Sequence, residues 1–331
     1  MFTLLLSCLT LLGAESSWPD LRGPYLGQTP PGAAPVLFAP GLVSTGLPTR
    51  DLVLSPDGSE IYFTIMLPGF HRSAVCLTRY ENGRWTPPEV ASFAGDGRWR
   101  TLEPCIAPDG RHLFFVSDRP EGDSSQPGPF GIWMAERRGA GWGAPVRLPA
   151  CINGDGEAFF PSVTRDGTLY FLREKGQART LLSSRREGTA YRSAEPLPAP
   201  LNRAPIQANP CVDPDGRFLI VPMWGRPDSL GGADYYISFR RPEGGWTEPQ
   251  NMGAPVNSTD GQEYSASLSP DGRYLFFMSG RYSGAPRPPL LDYAELLSQR
   301  TRPGNGNPAI WWMEAAFIEG LRGRAFQVRK D

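Results

Sequence analysis

Apolar residues in this chain fall into short runs, and five of the runs follow the same kind of polar turn. The runs are Ile61-Tyr62-Phe63, Leu113-Phe114-Phe115-Val116, Leu169-Tyr170-Phe171, Phe218-Leu219-Ile220-Val221 and Leu275-Phe276-Phe277. The turns are Asp57-Gly58, Asp109-Gly110, Asp166-Gly167, Asp215-Gly216 and Asp271-Gly272, with proline before the aspartate everywhere except at Arg165. Proline presets φ, aspartate bonds the backbone ahead of it, and glycine accepts a positive φ. Another apolar stretch precedes each turn, as in Leu52-Val53-Leu54, so each copy predicts a β-hairpin.

Counted between the turn aspartates 57, 109, 166, 215 and 271, the copies lie 52, 57, 49 and 56 residues apart. A third strand follows each hairpin, for example Ala74–Thr78, Gly131–Ala135 and Tyr235–Phe239. Turns at Gly83-Arg84-Trp85, Gly141-Trp142 and Gly245-Trp246 lead to a fourth strand, and Gly188-Thr189-Ala190-Tyr191 stands there in the third unit. Their tryptophans read as packing residues. A period near fifty with four strands per unit predicts a β-propeller. The fifth unit stops after its third strand, Ala309–Glu314, and a short helix is predicted over Ala315–Arg322. Residues 35–45 match 249–259, the fourth strand of the unit before it. The N-terminal stretch therefore serves as the outer strand of the last blade and covers its edge. Five blades result; six is the alternative, with no residues found to build the extra one. The expected division is a signal peptide over 1–16, an extended arm over 17–34 and one all-β propeller domain over 35–331.

The Ser-Pro-Asp-Gly hairpins resemble the TolB-like family of propeller repeats, which are WD-repeat-like in shape. Ser117-Asp118-Arg119, Ser279-Gly280-Arg281 and Ile310-Trp311-Trp312-Met313-Glu314-Ala315 fit the same pattern. The resemblance covers most of the chain after residue 35 and implies the fold. TolB itself carries six blades and a separate N-terminal α/β domain. Five blades without that domain are expected here, so a role in envelope integrity is not implied.

Charge and composition narrow the partners. The chain has 33 basic and 34 acidic residues among 331, a net charge of −1, and no long basic run, so nucleic acid is not an expected partner. Its 38 glycines and 36 prolines suit many short strands and turns. Residues 2–12 form an apolar stretch too short to span a membrane, and small residues follow it. Export is expected, to the periplasm or the cell exterior. Leu5-Leu6-Ser7-Cys8 resembles a lipobox, which would make Cys8 a lipid anchor. The remaining cysteines show no metal or redox spacing, and two histidines leave little material for a His-based site.

Strand alternation assigns the axial residues. Counting back from each turn aspartate, the sixth, fourth and second residues share a face toward the channel: Asp51, Val53, Ser55; Glu103, Cys105, Ala107; Phe160, Ser162, Thr164; Asn209, Cys211, Asp213; Ser265, Ser267, Ser269. Cys105 and Cys211 then read as small residues at a crowded axis. Asp51, Glu103 and Asn209 are expected at the channel mouth, with Glu157, Gln207 and Glu263 just upstream. Arg119, Arg173, Arg226 and Arg281 are expected around them. The arrangement reads either as a structural ion-pair ring or as a site for a polar ligand or cation. A helix over Leu290–Arg300 is predicted to cap this mouth with Leu290, Leu291, Tyr293, Leu296 and Leu297.

Three functions compete on these residues. The first is a non-enzymatic scaffold that binds a protein, peptide or glycan through the loop face. The second is a glycoside hydrolase using two of Asp51, Glu103, Glu157 and Glu263. That chemistry needs unpaired carboxylates roughly 5–5.5 Å or 6.5–9.5 Å apart. The third is a channel that holds calcium by oxygen ligands, although no Asp-rich loop is present. No other cofactor is indicated, and no catalytic residue is assigned.

Overall fold

Each predicted hairpin turn closes with one backbone hydrogen bond, from the glycine N–H to the carbonyl three residues earlier. The length is 2.8 Å at Gly58, Gly110, Gly216 and Gly272 and 2.9 Å at Gly167. These glycines hold φ between 69° and 83°, a region that side-chain-bearing residues seldom occupy. In the first blade Asp57 accepts from Ser55 Oγ at 2.5 Å and from the Ser59 amide at 3.0 Å. Asp271 repeats this with Ser269 and Arg273. In the fourth blade Asp213 takes over the role, accepting from the amides of Asp215 and Arg217 at 3.1 Å each.

The computed structural model describes residues 18–95, 97–259, 261–283 and 292–327; the predicted leader, Cys8, Leu290 and Leu291 lie outside the described residues. The fold is a five-bladed β-propeller. Blade 1 runs Thr49–Leu54, Glu60–Met66, Ser73–Glu81, Glu89–Val90, and blade 2 runs Thr101–Ile106, His112–Ser117, Gly131–Arg138, Val146–Arg147. Blade 3 is Glu157–Val163, Leu169–Lys175, Ala178–Ser184, Glu195–Pro196. In blade 4 the inner strand is split into Ile206–Gln207 and Cys211–Val212, followed by Phe218–Trp224, Ala233–Phe239, Gln250–Asn251. Blade 5 is Glu263–Leu268, Tyr274–Ser279, Ala309–Glu314 and, from the other end of the chain, Val36–Leu37. Apolar residues between neighbouring blades form the core. One cluster joins Ile220 and Tyr235 of blade 4 to Leu275, Phe277 and Trp311 of blade 5.

Closure of the ring is antiparallel, with Val36 opposite Trp312 and Leu37 opposite Trp311. The Phe38 amide extends the ladder by donating to the Ile310 carbonyl at 2.8 Å. The strand is shorter than the predicted 35–45, because the chain turns at Ala39–Ser44, where Val43 and Ser44 donate back to the Ala39 carbonyl. Phe38 is fully buried and meets Phe276 and Trp312 edge-on at 5.2 and 5.3 Å. The segment before it straps blade 1 to blade 5. Trp85 donates its amide to Leu21 and its indole N–H to Gly23, while the Tyr25 ring lies 5.2 Å from Trp312. A C-terminal helix, Phe317–Phe326, covers the bottom of blades 4 and 5 through Ile318 and Leu321.

Removing the Phe38 ring should therefore loosen the closure. Phe38→Ala is expected to lower the unfolding free energy by about 3–5 kcal/mol. Val36→Ala, two residues away but 42% exposed, should change it by no more than about 0.5 kcal/mol. Urea unfolding of both variants checks the contrast.

Candidate functional site

All five inner strands break their ladder at the same place. The residue six before each turn aspartate is left-handed: Asp51 at φ 57°, Glu103 at 57°, Phe160 at 55°, Asn209 at 41° and Ser265 at 65°. None is glycine, so the ring of five carries real backbone strain. In blades 1, 2, 3 and 5 the strand register shifts there, as in a bulge. A bulge re-aims the side chains around it, and strict alternation fails at the mouth. The expected channel row Ser55, Ala107, Thr164, Asp213 and Ser269 is buried instead. Its polar members other than Asp213 donate to the turn aspartates beside them, as Thr164 does to Asp166 at 2.5 Å.

The bulge brings a residue to the mouth that alternation assigns to the other face. Arg50 is buried and bridges two of the candidate carboxylates. Its Nε donates to Asp51 Oδ1 at 2.9 Å and its Nη2 to Glu103 Oε1 at 2.9 Å. Its guanidinium sits 5.2 Å from the Phe160 ring centre and 4.8 Å from that of Tyr264. Glu103 Oε2 accepts from the Phe160 amide at 2.7 Å, so both of its oxygens are engaged. On the far side of the mouth Asn209 donates to Ser265 Oγ at 2.7 Å. Asp51, Glu103, Phe160, Asn209 and Ser265 thus line one axial cavity of about 140 Å³, continued inward by Val53, Cys105, Ser162, Cys211 and Ser267.

One cation and two acids share this buried site. Burial pushes the Glu103 carboxyl well above its ordinary range, aided by the charge of Asp51 and opposed by Arg50. The Arg50 guanidinium stays charged, because the acids beside it, Asp51 foremost, outweigh its loss of hydration. Below the mouth Cys105 and Cys211 are free thiols, each raised by burial to about 12, which suits packing rather than nucleophilic work. Among the described residues no group of three or more His, Cys, Asp or Glu side chains is placed to hold a metal ion.

The other candidate residues are placed elsewhere. Glu157 accepts from the Phe130 amide at 3.0 Å. Glu263 is fully buried, accepts from Ser258 and Ser279 at 2.6 and 2.7 Å, and is raised chiefly by that burial. Gln207 donates to the Arg179 carbonyl at 2.8 Å. The expected ring of arginines around the axial acids is not formed, because three of them grip loop carbonyls. Arg119 donates to Phe93 at 2.5 Å, Arg173 to Cys151 at 3.2 Å and to Ile152, and Arg281 to Pro255 at 2.8 Å and to Val256. Each lies over an aromatic ring of its own blade: Phe115, Phe171 and Phe277. Arg226 lies over Tyr236 and bonds Asp228 at 3.3 Å. Of the four, Arg281 comes within 3.7 Å of a candidate acid, Glu263. The loop-face helix spans Tyr293–Thr301, N-capped by Asp292. It turns its apolar stripe outward, with Tyr293, Leu296 and Leu297 at 76, 57 and 51% exposure, so the predicted apolar cap is not made by these residues.

The chain is similar to several solved structures. The chain is similar to TolB from Acinetobacter baumannii, at 19% identity over 70% of this chain and 51% of that one, with a TM-score of 0.43. It is similar to an α-L-arabinofuranosidase from Lactobacillus brevis, at 11% identity over 81% and 90% of the two chains, TM-score 0.48. A third likeness is to BT0996, solved as an RGII complex, at 10% identity over 89% and 92%, TM-score 0.50. The chain spans about half the length of the TolB it matches. No protein-family model matches the sequence. Comparison with curated proteins gives no match either. At 10% identity the likeness to BT0996 bears on the fold alone.

Because the folded protein holds a proton on Glu103 more tightly than the unfolded chain does, the stability from this group has a definite sign. It is fully present below the ordinary glutamate value of about 4.3 and is lost as pH rises through the raised folded value. Glu103→Gln cannot titrate. Relative to that variant, the wild-type protein should lose unfolding free energy as pH climbs above about 4.3. Urea midpoints across the range measure this, and a constant offset between the two proteins would contradict it.

Proposed function

We propose that this chain is an exported, TolB-like propeller that acts as a non-enzymatic scaffold, binding a protein, peptide or glycan through its loop face. One observation carries the reading: the two axial carboxylates closest to one another in role, Asp51 and Glu103, are bridged by the buried Arg50. A hydrolase needs one carboxylic acid and one free carboxylate facing a substrate. Here the guanidinium occupies the space between them. The axial cavity of about 140 Å³ also falls short of the roughly 300 Å³ at which ligand pockets begin. The helix Tyr293–Thr301, in the connection between the second and third strands of blade 5, turns its apolar stripe outward. Exposed aromatic and leucine side chains on one helix face suit a partner surface.

Export rests on the apolar residues 2–12, with Cys8 as the anchor if the lipobox is used. No helix among the described residues is long and apolar enough to cross a membrane. Kinship with TolB-like repeats rests on the Ser-Pro-Asp-Gly hairpins.

The hydrolase reading keeps one point in its favour, a Glu103 raised by burial beside a second acid. The two readings separate on a direct test. The purified chain is expected to show no turnover on a panel of nitrophenyl glycosides and oligosaccharides. A photo-crosslinker at Leu297 is expected to capture a discrete partner from an envelope extract, and one at Val146 on the outer rim is not. Glycoside turnover that Glu103→Gln abolishes would overturn the scaffold.

A further inference from the structure

Two junctions between blades are built alike, and one lacks a charge. On the side of blade 2 that faces blade 1, the Arg137 amide donates within its own blade to the Arg111 carbonyl at 2.8 Å; in blade 4, which faces blade 3, Arg240 makes the same bond to Arg217. Each guanidinium stacks on the next tryptophan, Arg137 on Trp142 at 4.1 Å and Arg240 on Trp246 at 4.4 Å. Each tryptophan meets a tyrosine of the preceding blade: Trp142 donates to Tyr62 at 2.7 Å, and Trp246 stands edge-on to Tyr170. Arg137 then forms a two-point bridge with Glu60, at 3.1 and 2.5 Å. Glu60 holds the place whose carbonyl closes the hairpin by accepting from Ser55; in blade 3 that place, accepting from Thr164, is Thr168. Arg240 therefore bonds the Tyr170 hydroxyl at 2.9 Å and has no carboxylate partner among the described residues.

This junction opens into a groove of about 830 Å³ on the hairpin face between blades 3 and 4. Arg165, where the other turns carry proline, lines it together with Arg185 and Arg192. Three acids are also in the lining, but two are committed: Asp166 accepts from Thr164 and Thr168, and Asp215 pairs with Arg165 at 3.0 Å. The third, Glu195, is exposed in the outer strand. Arg192 pairs with Glu187. Arg185, like Arg240, makes no ion pair within 4 Å among the described residues, although its charge acts on Asp166 nearby. Arg240 is thus bonded to a hydroxyl rather than a carboxylate, and four arginines face three acids in the lining.

We propose that this groove binds an acidic oligosaccharide, whose uronate carboxylate takes the place on Arg240 that Glu60 takes on Arg137. Guanidinium and carboxylate match as a planar two-point pair. Hydroxyls of Tyr170, Ser183 and Ser193 in the lining offer partners for sugar hydroxyls. Its size lies within the roughly 300–1,000 Å³ usual for ligand sites. The walls are turns and hydroxyl side chains rather than an apolar shelf, which favours a sugar over a peptide anchored by hydrophobic residues. The groove lies at the opposite end of the inner strands from the mouth, so its failure and that of the loop-face reading are separable.

Calorimetric titration of the purified chain with trigalacturonate tests the site, with uncharged galactotriose and hexaglutamate as comparators. Trigalacturonate is expected to bind, galactotriose not, and affinity should fall as salt rises. Arg240→Ala should weaken binding at least tenfold. Thr168→Glu restores the missing acid without removing any arginine; it should abolish binding and leave the fold at least as stable as wild type by urea unfolding. Absence of trigalacturonate binding, tighter binding of hexaglutamate, equal binding of galactotriose, or binding indifferent to Thr168→Glu would each overturn the proposal.

Discussion

A ring of five blades holds together only if its first and last strands meet. Here that meeting is made by three residues, Val36 to Phe38, laid against Trp311 and Trp312. Every other sheet contact joins neighbours in sequence and forms locally, whereas this one joins residues almost three hundred positions apart. Such a contact carries a large loop-closure cost, offset by the buried aromatic cluster of Phe38, Phe276, Trp312 and Tyr25. The closed ring then fixes the spacing of five strand starts around the axis. That spacing is what lets Arg50 of blade 1 reach Glu103 of blade 2.

The mouth is strained in a repeated way. Five left-handed residues on five strands would each be costly alone. Together they turn five side chains toward one point, where packing and hydrogen bonds can hold them. The result is a plug rather than a cleft: a guanidinium between two acids, flanked by two aromatic rings, above a narrow thiol- and serine-lined channel. Replacing one member of such a buried pair generally costs about 3–5 kcal/mol, because the partner's charge is left behind. That magnitude favours a structural role for the triad and moves ligand recognition outward to the loops.

The blades are readable in the sequence because their information is local. Pro-Asp-Gly specifies a turn within four residues, and the match of 35–45 to 249–259 exposes the closing strand without any structure. The mouth is only half readable. Alternation places Asp51, Glu103 and Asn209 at the axis but not Arg50, because it puts neighbours on opposite faces and no glycine marks the bulge. The arginines after the second strands escape prediction for a similar reason. Whether Arg119, Arg173 or Arg281 turns inward depends on loop carbonyls contributed by the preceding blade, such as Phe93 and Val256. The missing acid at Thr168 becomes visible only when two junctions are superposed through their backbone bonds.

The claim that Arg50 locks the axial acids is tested most directly by a double-mutant cycle on Arg50 and Glu103, with Arg50→Met, Glu103→Gln and the pair compared by urea unfolding at neutral pH. A locked triad gives a coupling energy of about 1.5 kcal/mol or more, well inside the range of about 0.5–3 kcal/mol for contacting residues. Additivity within about 0.5 kcal/mol would mean that the guanidinium and the Glu103 carboxyl group do not depend on each other, and the acids would again be free to serve a substrate.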